Sequence, residues 1–573
     1  MTVRVKLHTN SPPGPLSAMQ RGGGRTVNIK ISNMYLKIKQ LLFFVLILII
    51  SSCGTKDQQT GKSETKEISM VIKSKYLNLP VSQAADRAKM TFTADGNQVK
   101  EFAIRLAPGN PDYWVFYDIS GYAGKTLEIS YEGNDSGLKY IYQDDKIAGQ
   151  DTLYKEINRP QLHFTSRRGW NNDPNGLVWY NGEYQLFYQH NPFEKYWENM
   201  HWGHAVSKDL VHWDELGIAL EPDSLGTMFS GSAVIDKDNT AGWGREALVA
   251  FYTAAGKNMT QNVAYSTDNG RTFTKFEGNP VLGPNRDPKV FWYEPKKCWV
   301  MVLYDDNYNI IYNSKDLKKW EKKSTVPGFY ECPEFFELPV DGNIKDKKWV
   351  MCGASGTYMT GSFDGENFTP EHGKYFYSWG SQYAAQTYNN VPDGRRIQIG
   401  WGRIEHKGMS FNQMMLFPCE LTLRKTTEGT RLFCEPIKEI ESLHQKSFSW
   451  NNLTGEEVNE KLKDVKSDLI HLKMDAEIVH GLGLEVLFRG NPVVYFDGNY
   501  NRFNGAPYIC GKPGIFRFNI EIILDRTSVE AYIDKGKLFI SEGLKDKKSD
   551  EGLMLKGNIK VHSLQVNELK SIW

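Results

Sequence analysis

The 573-residue chain sets 69 Lys and Arg against 68 Asp and Glu, so it lacks the basic excess of a nucleic-acid-binding surface. Its length suffices for three or four domains, or fewer if they are large all-β units. Aromatic residues make up 13% of it; β cores account for most of them and leave a minority that could form flat apolar platforms.

Residues 1–33 are polar and Gly/Pro-punctuated, and read as sequence upstream of a start at Met34. From there Lys37 and Lys39 precede the apolar run Leu41–Ile50, too short for a membrane span and suited to a signal-peptide core. The run meets Ile50-Ser51-Ser52-Cys53-Gly54, which resembles a bacterial lipobox with Cys53 as the lipidated residue. Residues 1–53 are therefore expected to be an N-terminal extension and lipoprotein signal, and 54–67 a polar tether. The expected location is an exported lipoprotein held on a membrane by its lipid alone, facing the periplasm or the cell exterior. The remaining cysteines, Cys298, Cys332, Cys352, Cys419, Cys434 and Cys510, have no metal-ligand spacing and read as small core residues.

Residues 68–155 alternate apolar and polar positions in short runs, as in Tyr113–Tyr117 and Leu127–Tyr131, and read as a small accessory β domain. Residues 156–440 repeat. Ser-x-Asp followed by an aromatic recurs at Ser207, Ser266, Ser314 and Ser362, and paired apolar runs recur with it roughly every fifty residues. That period matches one four-stranded blade per repeat and predicts a five-bladed β-propeller. Residues 441–573 open with a charged stretch, Glu456–Lys466, then alternate as Phe518–Leu524 and Val529–Ile533 do, and read as a C-terminal β-sandwich. The fold class expected is all-β.

Three acidic residues stand at one station of the repeat: Asp173 before Pro174, Asp287 before Pro288, and Glu331 two residues before Pro333. Asp-Pro pairs are ordinary turn chemistry. Three at the same station, on blades one, three and four, however, would point into one axial funnel. Glycoside cleavage needs a carboxylic acid to protonate the departing oxygen and a second carboxylate to attack or to activate water. Spacing alone leaves a calcium site open, although no metal or other cofactor is expected. Nor does the sequence carry a nucleotide loop, a zinc signature or a Ser-His-Asp motif.

His163-Phe164 with Gly169–Gly176 resembles the hallmark of glycoside hydrolase family 32, the invertases, inulinases and levanases. Tyr188–Pro192, His201–Ala205, Phe229–Ser232, Arg286–Pro288 and Glu331–Pro333 follow in that family's order, and Leu524–Glu530 resembles the signature of its C-terminal sandwich. The resemblance implies a retaining β-fructosidase acting on a fructan, levan or inulin, and on sucrose. It implies Asp173 as nucleophile, Glu331 as acid/base and Asp287 as transition-state stabiliser. Asn172, Gln189, Trp197, Phe229, Ser230, Arg286 and Trp401 fall at its sugar-binding positions, where Trp401 equally fits a core aromatic. Exo action with release of fructose leads, with endo cleavage or a non-catalytic fructan-binding lipoprotein as alternatives. Linkage preference and oligomeric state stay open. Two departures stand out: Asn171 replaces an apolar residue, and Ser378 and Ser381 stand where the family often carries Asp.

Overall fold

The computed structural model describes residues 66–573 except 307, 480, 510–513, 547 and 549–551. The apolar run, Cys53 and Cys510 lie outside the described residues. Among those described, Cys298, Cys332, Cys352, Cys419 and Cys434 are free and buried.

Five blades surround an axis, and their innermost strands are Gly169–Tyr180, Thr227–Asp236, Arg286–Tyr293, Glu334–Val340 and Gln382–Thr387. Local sequence sets the hairpins. Asn181-Gly182 and Asp341-Gly342, all at positive φ, make the two-residue turns whose twist suits antiparallel strands. The Ser-x-Asp repeats lie where the third strand of a blade ends. Ser207, Ser266 and Ser314 hydroxyls bond Asp209, Asp268 and Asp316, and the aspartates accept backbone N–H groups that shape the next turn.

Alternation along each strand packs blade against blade. In Ala247–Ala255, Leu248, Ala250 and Tyr252 face the first blade with Phe187 and Trp202. Val249 and Phe251, one residue out of phase, face Val290 and Met301 of the third. The third and fourth blades meet through Val300, Val302, Phe335 and Phe363. Each fully buried side chain of this size contributes about 1.5–3 kcal/mol. The ring closes where Phe411–Asn412 pairs in parallel with Gly169 and Trp170 of the first blade.

The N-terminal domain is two sheets around its own apolar core, one with strands ordered Lys66–Val71, Thr126–Tyr131, Ala88–Ala94 and Asn97–Ile104. The C-terminal sandwich also has two sheets, and the propeller strand Ser378–Gly380 joins one of them beside Leu538–Gly543. The charged stretch at 456–466 opens with a short α-helix, Gly455–Leu462, which starts at a capping box between Thr454 and Glu457 and buries Val458 and Leu462.

His163 locks sandwich to propeller. Its Nδ1 lies 2.7 Å from Asp525 and its Nε2 2.9 Å from Glu530, all three buried. Asp525 also accepts the Gln161 and Leu162 N–H groups, and Glu530 the Phe417 N–H and the Tyr532 hydroxyl. Burial alone would push the imidazole down, but the hydrogen bonds and charges of the two carboxylates outweigh it and hold it at about 9. Because the folded value exceeds the unfolded value of about 6.5, this stability is present below 6.5 and lost as pH rises through 9. His163→Gln, which leaves two buried carboxylates without their cation, is expected to cost about 3–5 kcal/mol at pH 7. Calorimetric unfolding should show the gap to wild type narrowing by pH 10; an equal gap at both pH values would refute a charged His163.

Candidate active site

The three acids converge because the backbone is irregular at one station. Asn171 pairs with His190 and Pro174 with Tyr188, so the first blade's inner strand gains one residue at Asn172-Asp173. The same insertion occurs at Phe229-Ser230, at Asp287-Pro288 and at Ala384-Ala385. A bulge of this kind bends the strand and re-aims its side chains; here it turns them toward the axis. Asp287, Glu331 and Cys332 have φ of 63°, 28° and 44°, a region L-residues seldom occupy, so surrounding structure must hold them there.

Asp173 is buried among donors. The Ser230 hydroxyl donates to Oδ2 at 2.5 Å, Asn172 Nδ2 to Oδ1 at 3.2 Å and Gln189 Nε2 to Oδ2 at 3.5 Å. Gln189 also ties Asn172 to Ser230. The Cys332 thiol lies 3.6 Å from both Asp173 and Asp287, and the Cys332 N–H donates to Asp287 at 3.1 Å. The Asp287 N–H donates to Thr253. Burial raises Asp173 to about 6 against the pull of these donors, and raises Asp287 to about 7 against the pull of Arg286.

Arg286 stands between the other two acids, its Nη2 2.7 Å from Glu331 and its Nε 3.5 Å from Asp287. Its guanidinium is stacked near the Tyr304 ring, 4.6 Å from the centroid. A fixed cation therefore already occupies the place a metal would take among these carboxylates, which weighs against the calcium reading. The Tyr383 hydroxyl donates to the other oxygen of Glu331 at 2.6 Å.

The residues singled out from sequence fall around this cluster. Asn172, Gln189, Ser230 and Arg286 touch the acids directly. Phe229 meets Trp197 edge to face at 5.8 Å, forming one wall. Trp401 bonds Gln413 and packs edge-on against Trp170 and against Tyr383, which in turn bonds Glu331. Asn171 lies behind Asp173, its amide facing the Asn412 and Gln413 carbonyls at 3.2 and 3.0 Å, to which it donates across the ring closure. Ser378 pairs with a sandwich strand and Ser381 bonds Ser541, so both stitch propeller to sandwich. Sequence alone does not mark Tyr383 or Tyr304 as site residues, and it reads Cys332, inside the Glu331–Pro333 motif, as a core cysteine. A separate cavity of about 640 Å³ opens at the far ends of the inner strands, lined by Asp236, Phe291, Trp292, Glu337, Trp349 and Arg396, and none of the three acids lines it.

The carboxylates gathered at one end of the propeller axis supply the pair that glycoside hydrolysis requires. Residues 163–436 match the N-terminal domain of glycosyl hydrolases family 32, and residues 63–157 match a domain of unknown function, DUF4980. The levanase of Bacillus subtilis is 39% identical over 493 residues, covering 74% of this chain and 72% of that one. The extracellular exo-inulinase of Aspergillus niger is 34% identical over 480 residues, covering 67% and 89%. Among solved structures, a fructofuranosidase from Schwanniomyces occidentalis complexed with fructose superposes with a TM-score of 0.63 at 26% identity, covering 73% of this chain and 99% of the other. The chain belongs to glycoside hydrolase family 32.

Keeping Asp287 charged in this setting works against folding. Its folded value, about 7, lies above the unfolded value of about 3.9. The associated stability is therefore present below 3.9 and lost as pH rises through 7. Asp287→Asn should raise the thermal midpoint at pH 8, by about 2–4 kcal/mol in stability, and bring no gain at pH 4. A variant no more stable than wild type at pH 8 would contradict the burial argument.

Proposed function

We propose that this enzyme is a retaining β-fructosidase that removes terminal fructose from fructan chains. Asp173 attacks the anomeric carbon while Glu331 protonates the departing glycosidic oxygen, giving a fructosyl ester on Asp173. Glu331, now a carboxylate, then takes a proton from a water whose oxygen attacks the anomeric carbon, which breaks the ester bond and restores Asp173 as a carboxylate and Glu331 as an acid. Asp287 and Arg286 grip ring hydroxyls, and their bonds tighten as the ring gains positive charge. Asn172 and Gln189 offer the paired donors and acceptors that vicinal hydroxyls need. Trp197, Phe229 and Trp401 wall the ring.

The observation that carries this reading is a gradient of burial across the site. Asp173 and Asp287 are 8% and 6% exposed, whereas the Glu331 side chain is 21% exposed and Trp197 50%. The deep end, crowded with donors, suits one sugar ring at a chain end. The open end suits a leaving chain and the incoming water.

Glu331→Gln should lower kcat on fructan by about 10²–10⁴, whereas a mere binding protein would have no turnover to lose. Chromatography should show fructose as the sole early product from inulin or levan, with glucose beside it only from sucrose; a ladder of oligosaccharides would replace exo with endo action, and no release from any of the three would refute the assignment. Because Asp173 must be ionised to attack, kcat/KM should fall as pH drops through about 6, and Ser230→Ala, which removes a donor to the ionised form, should move that limb upward.

The run Leu41–Ile50 with Ile50-Ser51-Ser52-Cys53 supports an exported lipoprotein anchored through Cys53. Labelling with a palmitate analogue should be lost in Cys53→Ala; label retained in that variant would refute the anchor.

A further inference from the structure

The propeller does not by itself fix the loop that carries Trp197. Residues 192–200 run between the strands Glu183–Asn191 and His201–Ser207 with neither helix nor strand. Successive residues of this loop are instead gripped by the N-terminal domain. Phe193 stacks on Phe102 with centroids 3.5 Å apart and is fully buried in that domain's own core. The Glu194 carboxylate accepts the Arg105 N–H at 2.7 Å and pairs with the Arg105 guanidinium. The Lys195 N–H reaches the Tyr113 hydroxyl, and Glu198 pairs with Arg87 at 2.9 Å. The Asn199 amide bonds both the N–H and the C=O of Ala103, at 3.1 and 2.9 Å, as a neighbouring strand would. At the loop's base, buried Lys100 lies 2.6 Å from His201 Nε2, whose other ring nitrogen bonds the Asn199 carbonyl.

The propeller holds the loop mainly at its two ends: the Asn191 side chain bonds Phe193, Tyr196 and Asn199, and the Met228 N–H donates to the Met200 carbonyl at 2.9 Å. Between them it offers two 3.4 Å contacts, from Lys195 to Met409 and Asn412, and the Phe229 ring beside Trp197. An irregular nine-residue loop left to itself would have to be ordered each time a sugar bound, at the expense of affinity. Here the loop's ring completes the core of another domain, and its Asn199 side chain hydrogen-bonds to the backbone of that domain's strand Asn97–Ile104. Trp197 is thereby held over Phe229 before any substrate arrives.

We infer that the N-terminal domain is a positioning device for the active site: it holds the 192–200 loop, and through it Trp197, in the substrate-binding arrangement. The inference rests on the reading of Trp197 as a sugar contact. Arg105, Phe102 and Lys100 are thus positioning residues, none of them touching the reacting atoms. This role differs from that of a polymer-binding appendage, because it acts on the first bound sugar and on short substrates as much as on long ones.

The test compares Arg105→Ala and Phe102→Leu with Leu127→Ala, a core change in the same domain at the other end of its sheet from Ala103. Hydrogen exchange of residues 192–200 in the full chain should rise in the first two and stay at the wild-type level in Leu127→Ala at a matched fall in midpoint. KM for sucrose and for inulin or levan, whichever wild type cleaves, should rise about fivefold in the first two with kcat within about twofold. Unchanged loop exchange in Arg105→Ala overturns the inference whether or not the enzyme proves to be a fructosidase. Raised exchange with unchanged KM overturns it also, leaving a purely structural clasp. Trp197→Ala separates the two readings: if that variant keeps wild-type KM, the sugar-contact reading fails and takes the inference with it. If its KM rises while that of Arg105→Ala does not, the inference alone fails.

Discussion

Two aspartate carboxylates buried within reach of one thiol form an arrangement that folding alone opposes, and much of this molecule is organised around sustaining it. A carboxylate taken out of water must be repaid by donors and cations or it will hold its proton. Asp173 has Ser230, Asn172 and Gln189 for this purpose, and Asp287 has Arg286 and the Cys332 N–H. These partners come from four blades, so the full set is not assembled until the ring has closed. The electrostatics of the site is therefore a property of the whole propeller, not of any one motif.

Closure itself is anchored beside the chemistry. Phe411–Asn412 joins the first blade at Gly169 and Trp170, a few residues before Asp173, and the buried Asn171 amide ties that strand to the carbonyls of Asn412 and Gln413. An apolar side chain at Asn171 would fill the space but leave those carbonyls without this donor. Just upstream, His163 is gripped by Asp525 and Glu530 of the sandwich. The strand that carries Asp173 is thus held from its start by the last blade and by the C-terminal domain, which explains why residues more than three hundred and fifty positions apart form one structural unit around it.

What the sequence disclosed and what it concealed follow from the same geometry. The acids were legible because a bulge interrupts the ladder and proline, lacking an N–H, is tolerated at or beside it; Pro288 lies within one such bulge and Pro174 directly follows another. The blades were legible because strand alternation and turn chemistry are local. Tyr383 escaped notice because its bond to Glu331 joins the fifth blade to the fourth, a contact no spacing expresses. Ser378 and Ser381 could be recognised as departures, but their contacts with the sandwich depend on how two domains meet. The helix Gly455–Leu462 was overlooked for a different reason: its charged face dominated the composition, although Thr454 and Glu457 carried a capping box in plain view. The dependence of the 192–200 loop on the N-terminal domain was equally hidden, since Phe193 and Phe102 are ninety residues apart and belong to separate domains.

The burial gradient also bears on how one carboxylate can serve both halves of a double displacement. In the proposed mechanism Glu331 must face the leaving oxygen first and a water molecule afterwards, while Asp173 must be shielded from water throughout so that its ester persists until the acid/base is ready. A uniformly buried site would trap the departing chain, and a uniformly open one would hydrate the nucleophile and weaken its field. Placing Glu331 at the rim, with Arg286 on one oxygen and Tyr383 on the other, fixes its direction without closing its access. Arg286 reaches from that rim to buried Asp287, so the charge that steadies the exposed acid is the same charge that offsets the buried one. Replacing Arg286 would therefore disturb both ends of the gradient at once, whereas Tyr383 acts on the rim alone.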